Sequence, residues 1–336
     1  MRITTLGSRL LSTLLVMLAI TIFVFLVMRW LPGDPVDRIL GGSGQVSQQQ
    51  LRALRASYHL DQPVPLQLVN FLGDLLHGDI GESVVYNRPA SQVILEHLPA
   101  TAELAVAATF FAIGVAAPLG VAAAVWRGSW FDRLASAGSY LGISMPGFWL
   151  GIALILVFAV HLRWLPVGGR ADPGAEPAGP TGFLVLDAIL HLDLTALASA
   201  LAHLILPAVT MGSVMLAVLS RVLRSSMIEE LDKEYVALAL AKGASRRRAI
   251  VCHALRNALI PSVTVFGLEL GTLLGGNMVV ETVFGWPGVG QLAVSSIFAR
   301  DYAVVQGVVL LYALTFAVIN LLIDISYTKL DPRVSF

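Results

Sequence analysis

The passage EYVALALAKGASRRRAIVCHALRNALIP, residues 234–261, lies between two long apolar segments and gathers Lys242, Arg246, Arg247, Arg248 and Arg256 into an alanine-rich run. Its local signals are those of two short helices meeting at a corner. Asp232 is expected as the N-cap, with Glu229, Glu230 and Glu234 clustered where a helix start favours anions. The stretch DKEYVALALAK is rich in strong helix formers. Lys242 falls in the last turn, where a cation is favoured, and Gly243 can take the left-handed conformation that stops the helix. Ser245 can cap the next helix, which carries Arg246 to Arg248. The first helix, about 10 residues or 15 Å long, is too short to span a bilayer. Its apolar side, Tyr235, Val236, Ala239 and Leu240, suits a shallow groove on another protein. It equally suits an interfacial position held by basic residues near anionic lipid.

The rest of the chain says what that passage is attached to. Of 336 residues, 56% are hydrophobic and 13% charged, about half the charged fraction of a soluble domain. Mean hydropathy is +0.77. Six apolar segments, approximately 10–31, 99–125, 134–161, 199–225, 258–280 and 303–326, reach the roughly 20 residues a transmembrane helix needs. Pro118, Pro146, Pro207, Gly275 and Gly276 interrupt them, as membrane bundles allow where neighbours or a cavity re-satisfy the backbone. The first segment exceeds the apolar region of a signal peptide and runs into RWLPGDP rather than a small-residue cleavage site. It reads as an uncleaved first span. A net charge of zero argues against a nucleic-acid partner, and the single Cys252 excludes an internal disulfide framework.

Six spans put both termini on one side. With the N-terminus in the cytoplasm, 14 of the 22 Lys and Arg residues fall inside and 8 outside, most of the latter in one long loop. The 234–261 passage then faces the cytoplasm. The chain is thus expected to comprise residues 1–98, a first helix with a long extracytoplasmic loop; residues 99–326, a five-helix core with a cytoplasmic loop at about 229–257; and a cytoplasmic tail, 327–336. In the long loop Leu51, Leu54, Tyr58, Leu68, Phe71, Leu72 and Leu75 recur near helical spacing, which suits a surface cap or a docking face for an extracytoplasmic partner. The second outer loop, GGRADPGAEPAGPTG, is Pro/Gly-rich and expected to be irregular.

No catalytic constellation emerges, and no catalytic residue is assigned. A phosphate-cradling loop needs Gly-Lys followed by Ser or Thr, and none of Lys233, Lys242 and Lys329 follows a glycine. The seven histidines make no HExxH zinc motif. His161, His191 and His203 lie near the outer face, as plain interfacial side chains or as contacts for a metal complex. Glu269 stands inside the fifth segment, where a carboxylate must face a partner or a water-filled cavity. The following stretch, GTLLGGNMVVETVFGWPGVG, suits a gate or re-entrant segment, with Gly275, Gly276, Asn277 and Glu281 as candidate pathway residues. A turn packed by Phe284 and Trp286 is the plainer alternative. Sparse intramembrane charge argues against an ion-driven secondary transporter, and no paired groups at membrane depth support an embedded enzyme.

The passage EYVALALAKGAS…IP resembles the cytoplasmic loop of permease subunits in bacterial ATP-binding-cassette importers, through Glu234, Ala237, Gly243 and Ile260-Pro261. LPGDP (31–35), YHLDQP (58–63), GDIGES (78–83), RGSWFD (127–132), SMPGFW (144–149), HALRNALIP (253–261), ETVFGWPGVG (281–290) and LDPR (330–333) extend that resemblance over essentially the whole chain. They are similar to the dipeptide, oligopeptide and nickel importer permeases, and PTGF (180–183) is most similar to the dipeptide type. The resemblance implies an all-α, six-span type I importer permease in the bacterial inner membrane. It implies an ATPase-coupling surface at Glu234, Tyr235, Ala237, Ala239, Lys242, Gly243, Ala244 and Ser245. It also implies a second, homologous permease, two ATPase subunits or domains that bind ATP and magnesium in this chain's stead, and an extracytoplasmic substrate-binding protein. Cargo is expected to be di- or oligopeptides, with nickel or a metal chelate as the alternative.

Overall fold

The computed structural model describes residues 3–30, 61–175, 179–274 and 278–330. It is helical almost throughout. Helix α1 is Ile3–Trp30 and α2 is Val64–Leu76. A two-residue antiparallel ladder, Glu82–Ser83 (β1) with Arg88–Pro89 (β2), precedes α3, Ala90–Val125. Helix α4, Trp130–Ser144, is followed by α5, Gly147–Leu154, which continues through a π-helical turn to His161. Then come α6, Leu184–Leu190, and α7, Leu194–Leu231. The short helix α8 is Glu234–Ala241. Helix α9, Arg246–Arg248, passes through π-helical Ala249–Ala254 into α10, Leu255–Leu274. Helices α11, Met278–Val283, α12, Val289–Ala299, and α13, Tyr302–Leu330, complete the order.

Four rods are long and apolar enough to cross a membrane: Ala90–Val125, Leu194–Leu231, Arg246–Leu273 and Tyr302–Leu322. The segment expected as one span over 134–161 is instead two helices, α4 and α5, meeting at 110°. Pro146 is the cause. It sits at φ −60° and ψ 134°, and it holds the preceding Met145 extended at ψ 126°, out of the helical region. Counting that bent pair as one span, five spans are present among the described residues rather than six. The described apolar part of α1, Leu14–Trp30, falls below spanning length.

The chain divides into two compact units. One comprises residues 1–101 and 287–317. In it, Phe25 of α1 stacks on Phe71 of α2 with ring centroids 5.5 Å apart. The Arg29 guanidinium lies 3.6 Å over the Phe25 ring and donates to Gln67 Oε1 at 2.6 Å. The apolar loop residues Leu68, Phe71, Leu72 and Leu75 therefore do form a helix, α2, whereas Leu51, Leu54 and Tyr58 lie outside the described residues. Buried Asp301, just before α13, accepts from the Ser83 hydroxyl and the Val85 amide, tying the β1–β2 turn to that helix start.

The other unit comprises residues 102–286 and 318–335. Helix α7 is its axis, with α4, α5, α6 and α10 packed along it. Small residues set the spacing to α3. A Cβ on Gly212 would fall 2.6 Å from the Ala108 carbonyl oxygen, and one on Gly120 would fall 2.9 Å from that of Ser220. Backbone thus meets backbone, the approach that only glycine permits between membrane helices. Near the α4 start, buried Asp132 holds Arg224 of α7 through two charge-assisted bonds, Nε–Oδ1 at 2.5 Å and Nη2–Oδ2 at 2.8 Å.

Candidate coupling surface

Two residues, Asp232 and Lys233, separate α7 from α8. Asp232 does not cap α8, contrary to the sequence reading. It stays in the right-handed helical region (φ −84°, ψ −4°) and closes α7 instead. Lys233 takes the extended N-cap backbone, ψ 146°, without a side-chain cap bond. With α8 following so closely, the chain turns at Lys233, and Asp232 has no room to leave the helix.

The other end of α8 follows the sequence. Gly243 sits at φ +88°. Its amide donates to the Leu240 carbonyl at 2.9 Å and the Ala244 amide to that of Ala239 at 3.1 Å, the paired bonds of a Schellman stop. Ser245 then caps α9, its Oγ accepting from the Arg248 amide at 3.4 Å.

The faces of α8 are distributed differently from the sequence reading. Val236 is 3% exposed and packs with Leu223, Met227, Ala249, Ala254 and Ala258 of the same unit. Tyr235 packs against that cluster as well. These two side chains serve the chain's own core, because α8 lies against α7 and the start of α10. Ala237, Leu238, Leu240, Ala241 and Lys242 are the outward residues, with Leu238 55% and Leu240 44% exposed. A groove of about 430 Å³ runs between this face and the α9 side, lined by Leu238, Ala239, Lys242, Gly243, Ala244 and Arg248, with Tyr235 and His253 reaching it from the inner side. Glu234 is exposed at its start, and Cys252 is exposed too.

Polar contacts brace the inner side. The Tyr235 hydroxyl donates to Glu230 Oε2 at 2.6 Å and accepts from Asn257 Nδ2 at 3.0 Å. Lys233 Nζ donates to the other carboxylate oxygen, Glu230 Oε1, at 2.7 Å. Burial, and then the bond to Glu230, push the Tyr235 phenol above its ordinary range. The hydrogen bond to Glu230 likewise raises the Lys233 ammonium.

The candidate pathway residues are separate from this surface. Glu269 is half-buried on α10, and its carboxylate has no hydrogen bond or ion pair among the described residues. Gly275, Gly276 and Asn277 lie outside the described residues. Glu281, on α11, is 0% exposed. Of the three histidines expected near the outer face, His203 is buried, with Nδ1 2.8 Å from the Ser199 carbonyl oxygen and Nε2 3.9 Å from Asp172. Among the described residues no cluster of three His, Cys, Asp or Glu side chains is placed to hold a metal ion. Sequence reasoning missed the Glu103–Arg170 and Asp132–Arg224 pairs, which join positions 67 and 92 residues apart. It also missed the Tyr235 brace, for which the only local hint was a tyrosine among alanines.

Two family matches cover nearly all of the chain. Residues 116–336 match the binding-protein-dependent transport system inner membrane component, and residues 3–105 match the N-terminal part of such membrane components. The chain belongs to this importer permease family. A probable D,D-dipeptide transport system permease of Escherichia coli K12 is 41% identical over 321 residues, covering 95% of this chain and 94% of that one. A di/tripeptide transport system permease of Pseudomonas aeruginosa is 42% identical over 315 residues, 94% of each chain. A glutathione transport system permease of Salmonella typhimurium is 38% identical over 329 residues, 98% of each. The bundle described above is therefore the transmembrane part of a multi-pass, inner-membrane import system.

Proposed function

We propose that this permease carries short peptides inward, paired with a second, homologous permease and driven by two separate ATPase subunits or domains. The family membership and the peptide-system names of relatives near 41% identity support the cargo class. An extracytoplasmic binding protein delivers the peptide. Hydrolysis belongs to the partners, which bind ATP and magnesium, because this sequence offers no Gly-Lys-Ser/Thr loop. Both termini and α8 lie in the cytoplasm, as the 14-to-8 split of basic residues indicates.

The observation that carries the reading is α8 itself. Its outward face, Ala237 to Lys242, borders a groove, while its inner face is fixed to α7 and α10. Closure of the ATPases displaces the outward face. The displacement passes through the fixed inner face to the spans as a rigid-body motion, which opens the cavity alternately to the two sides. The pathway lies in the 99–326 core, where Glu269 supplies a carboxylate toward cargo and the 275–281 stretch a gate.

Purification of the assembled complex tests this. The ATPase subunits should copurify with the permease and be released by bulky charged substitutions at Leu238 and Ala239. Mass spectrometry of the ligand on the cognate binding protein should return di- to oligopeptides. A nickel chelate there would overturn the cargo, and a permease that transports with no ATPase attached would overturn the class.

A further inference from the structure

We infer that the Tyr235 hydroxyl is a positioning group for coupling: it makes α7, α8 and α10 move as one body. The inference rests on the coupling role proposed above for α8. It adds the joint through which a push on α8 reaches the spans.

Helix α8 is attached to its neighbours by thin connections. Asp232 and Lys233 join it to α7, and the Gly243–Ser245 corner joins it to α9. Both connections are short non-helical backbone, with Lys233 extended at ψ 146° and Gly243 at φ +88°. A helix hung on two such connections pivots when pushed. It then spends the displacement on its own rotation.

Tyr235 closes the triangle. It sits in the first turn of α8. Its hydroxyl donates to Glu230 in the last turn of α7, at 2.6 Å, and accepts from Asn257 in the first turn of α10, at 3.0 Å. It also lies 3.5 Å from the His253 carbonyl oxygen. One oxygen atom thus touches all three elements that must move together. The anchoring carboxylate is itself fixed, since its other oxygen is held by Lys233. The tyrosine ring suits the task because it is rigid, with two side-chain torsions, and spans the gap without a flexible stem. Val236, one residue on, seals the same edge by apolar packing. That packing resists separation but not sliding, whereas directional hydrogen bonds resist both.

The ring and the hydroxyl are separable by experiment. Tyr235→Phe keeps the packed ring and removes only the joint. The measurement uses the full complex in proteoliposomes: both permeases, the ATPases and the loaded binding protein. A cysteine at Ala244, with Cys252 replaced by serine, reports docking through crosslinking to the ATPase. Tyr235→Phe should crosslink as the parent does while peptide transported per ATP hydrolysed falls by roughly tenfold or more, the factor expected for a lost hydrogen bond to a charged acceptor. Asn257→Ala should lower the same ratio, and the double variant should be no worse than Tyr235→Phe alone. An unchanged ratio in Tyr235→Phe overturns the proposal. So does loss of the crosslink in that variant, which would make the hydroxyl part of docking instead. Absence of a crosslink in the parent would overturn the coupling role of α8 itself, a failure recognisable before the tyrosine is altered.

Discussion

Arg170 holds Glu103 through an Nη2–Oε2 contact of 2.5 Å, with the two side chains only 13% and 8% exposed. The pair ties the middle of the connection between α5 and α6 to its α6 end. The same Arg170 nitrogen donates to the Gly182 carbonyl at 3.0 Å, and Glu103 Oε1 accepts from the Val185 amide at 2.8 Å. The guanidinium also lies 5.6 Å from the Trp286 ring, within reach of its face. An irregular, Pro/Gly-rich loop is thereby given a defined seat.

Breaking this pair from one side should be costly, because it strands a buried charge. Arg170→Ala is expected to cost about 3–5 kcal/mol of local stability. Limited proteolysis in detergent should show faster cleavage between residues 163 and 183 than in the parent. Combining Arg170→Met with Glu103→Gln should recover part of the loss. A single variant as resistant as the parent would show that the loop is held by other contacts.

At Gly243 the constraint is backbone alone. A Cβ there would meet nothing within 4 Å, yet the φ of +88° excludes most side chains. Gly243→Leu should therefore cost roughly 1 kcal/mol or more, and Gly243→Pro should prevent the stop altogether. Both should insert normally but lose peptide-stimulated ATP hydrolysis and uptake. Gly243→Asn should retain more activity than Gly243→Leu, since asparagine tolerates the left-handed region. The reverse order would rule out the backbone explanation.

Orientation is testable with thiol labelling. With Cys252 removed, a cysteine at Gly174 should react with an impermeant reagent in intact cells. One at Ser245, also exposed, should react only after the membrane is opened. The opposite pattern would place α8 outside and remove the basis for coupling.

Glu269 offers a test of selectivity. A carboxylate at membrane depth costs several kcal/mol unless it meets water or a partner. Glu269→Gln should leave assembly intact and weaken uptake of peptides with a free amino group more than uptake of N-blocked analogues. Equal losses for both cargoes, per assembled complex, would leave Glu269 a packing residue.

What was legible in the sequence follows from the range of each interaction. The Gly243 stop and the Ser245 cap are decided within four residues, and both were readable from the chain. Asp232 was misassigned because Asp, Ser and Asn favour caps in isolation, while the proximity of α7 decided which helix Asp232 would end. The break at Pro146 was visible as a proline, but its 110° consequence depends on how α4 and α5 pack on α7. The sequence offers Tyr235, Val236, Ala239 and Leu240 together as one outward apolar side, and Ala239 and Leu240 do face the groove or solvent, whereas Tyr235 and Val236 pack against the core. Only the placement of α10 shows that the chain uses them itself. The ion pairs of Asp132 and Glu103 join distant positions, for which one sequence carries no signal.

Helix α7 has 38 residues, about 57 Å of rod against a hydrocarbon core of about 30 Å. Even a tilt of 40° leaves roughly 44 Å of projected length, so the helix overhangs the oily layer. If the overhang is cytoplasmic, its last turn, with Glu229 and Glu230, stands among headgroups and water. There the two halves of the brace respond differently to ionic strength. Lys233 is 44% exposed, so its 2.7 Å ion pair with Glu230 weakens as salt rises, most of all toward 1 M, where the Debye length falls to about 3 Å. The uncharged hydroxyl of Tyr235, partly buried against the apolar cluster, is not. High salt should thus slacken one strap and spare the other, which leaves the tyrosine as the contact that would hold the proposed joint at high ionic strength.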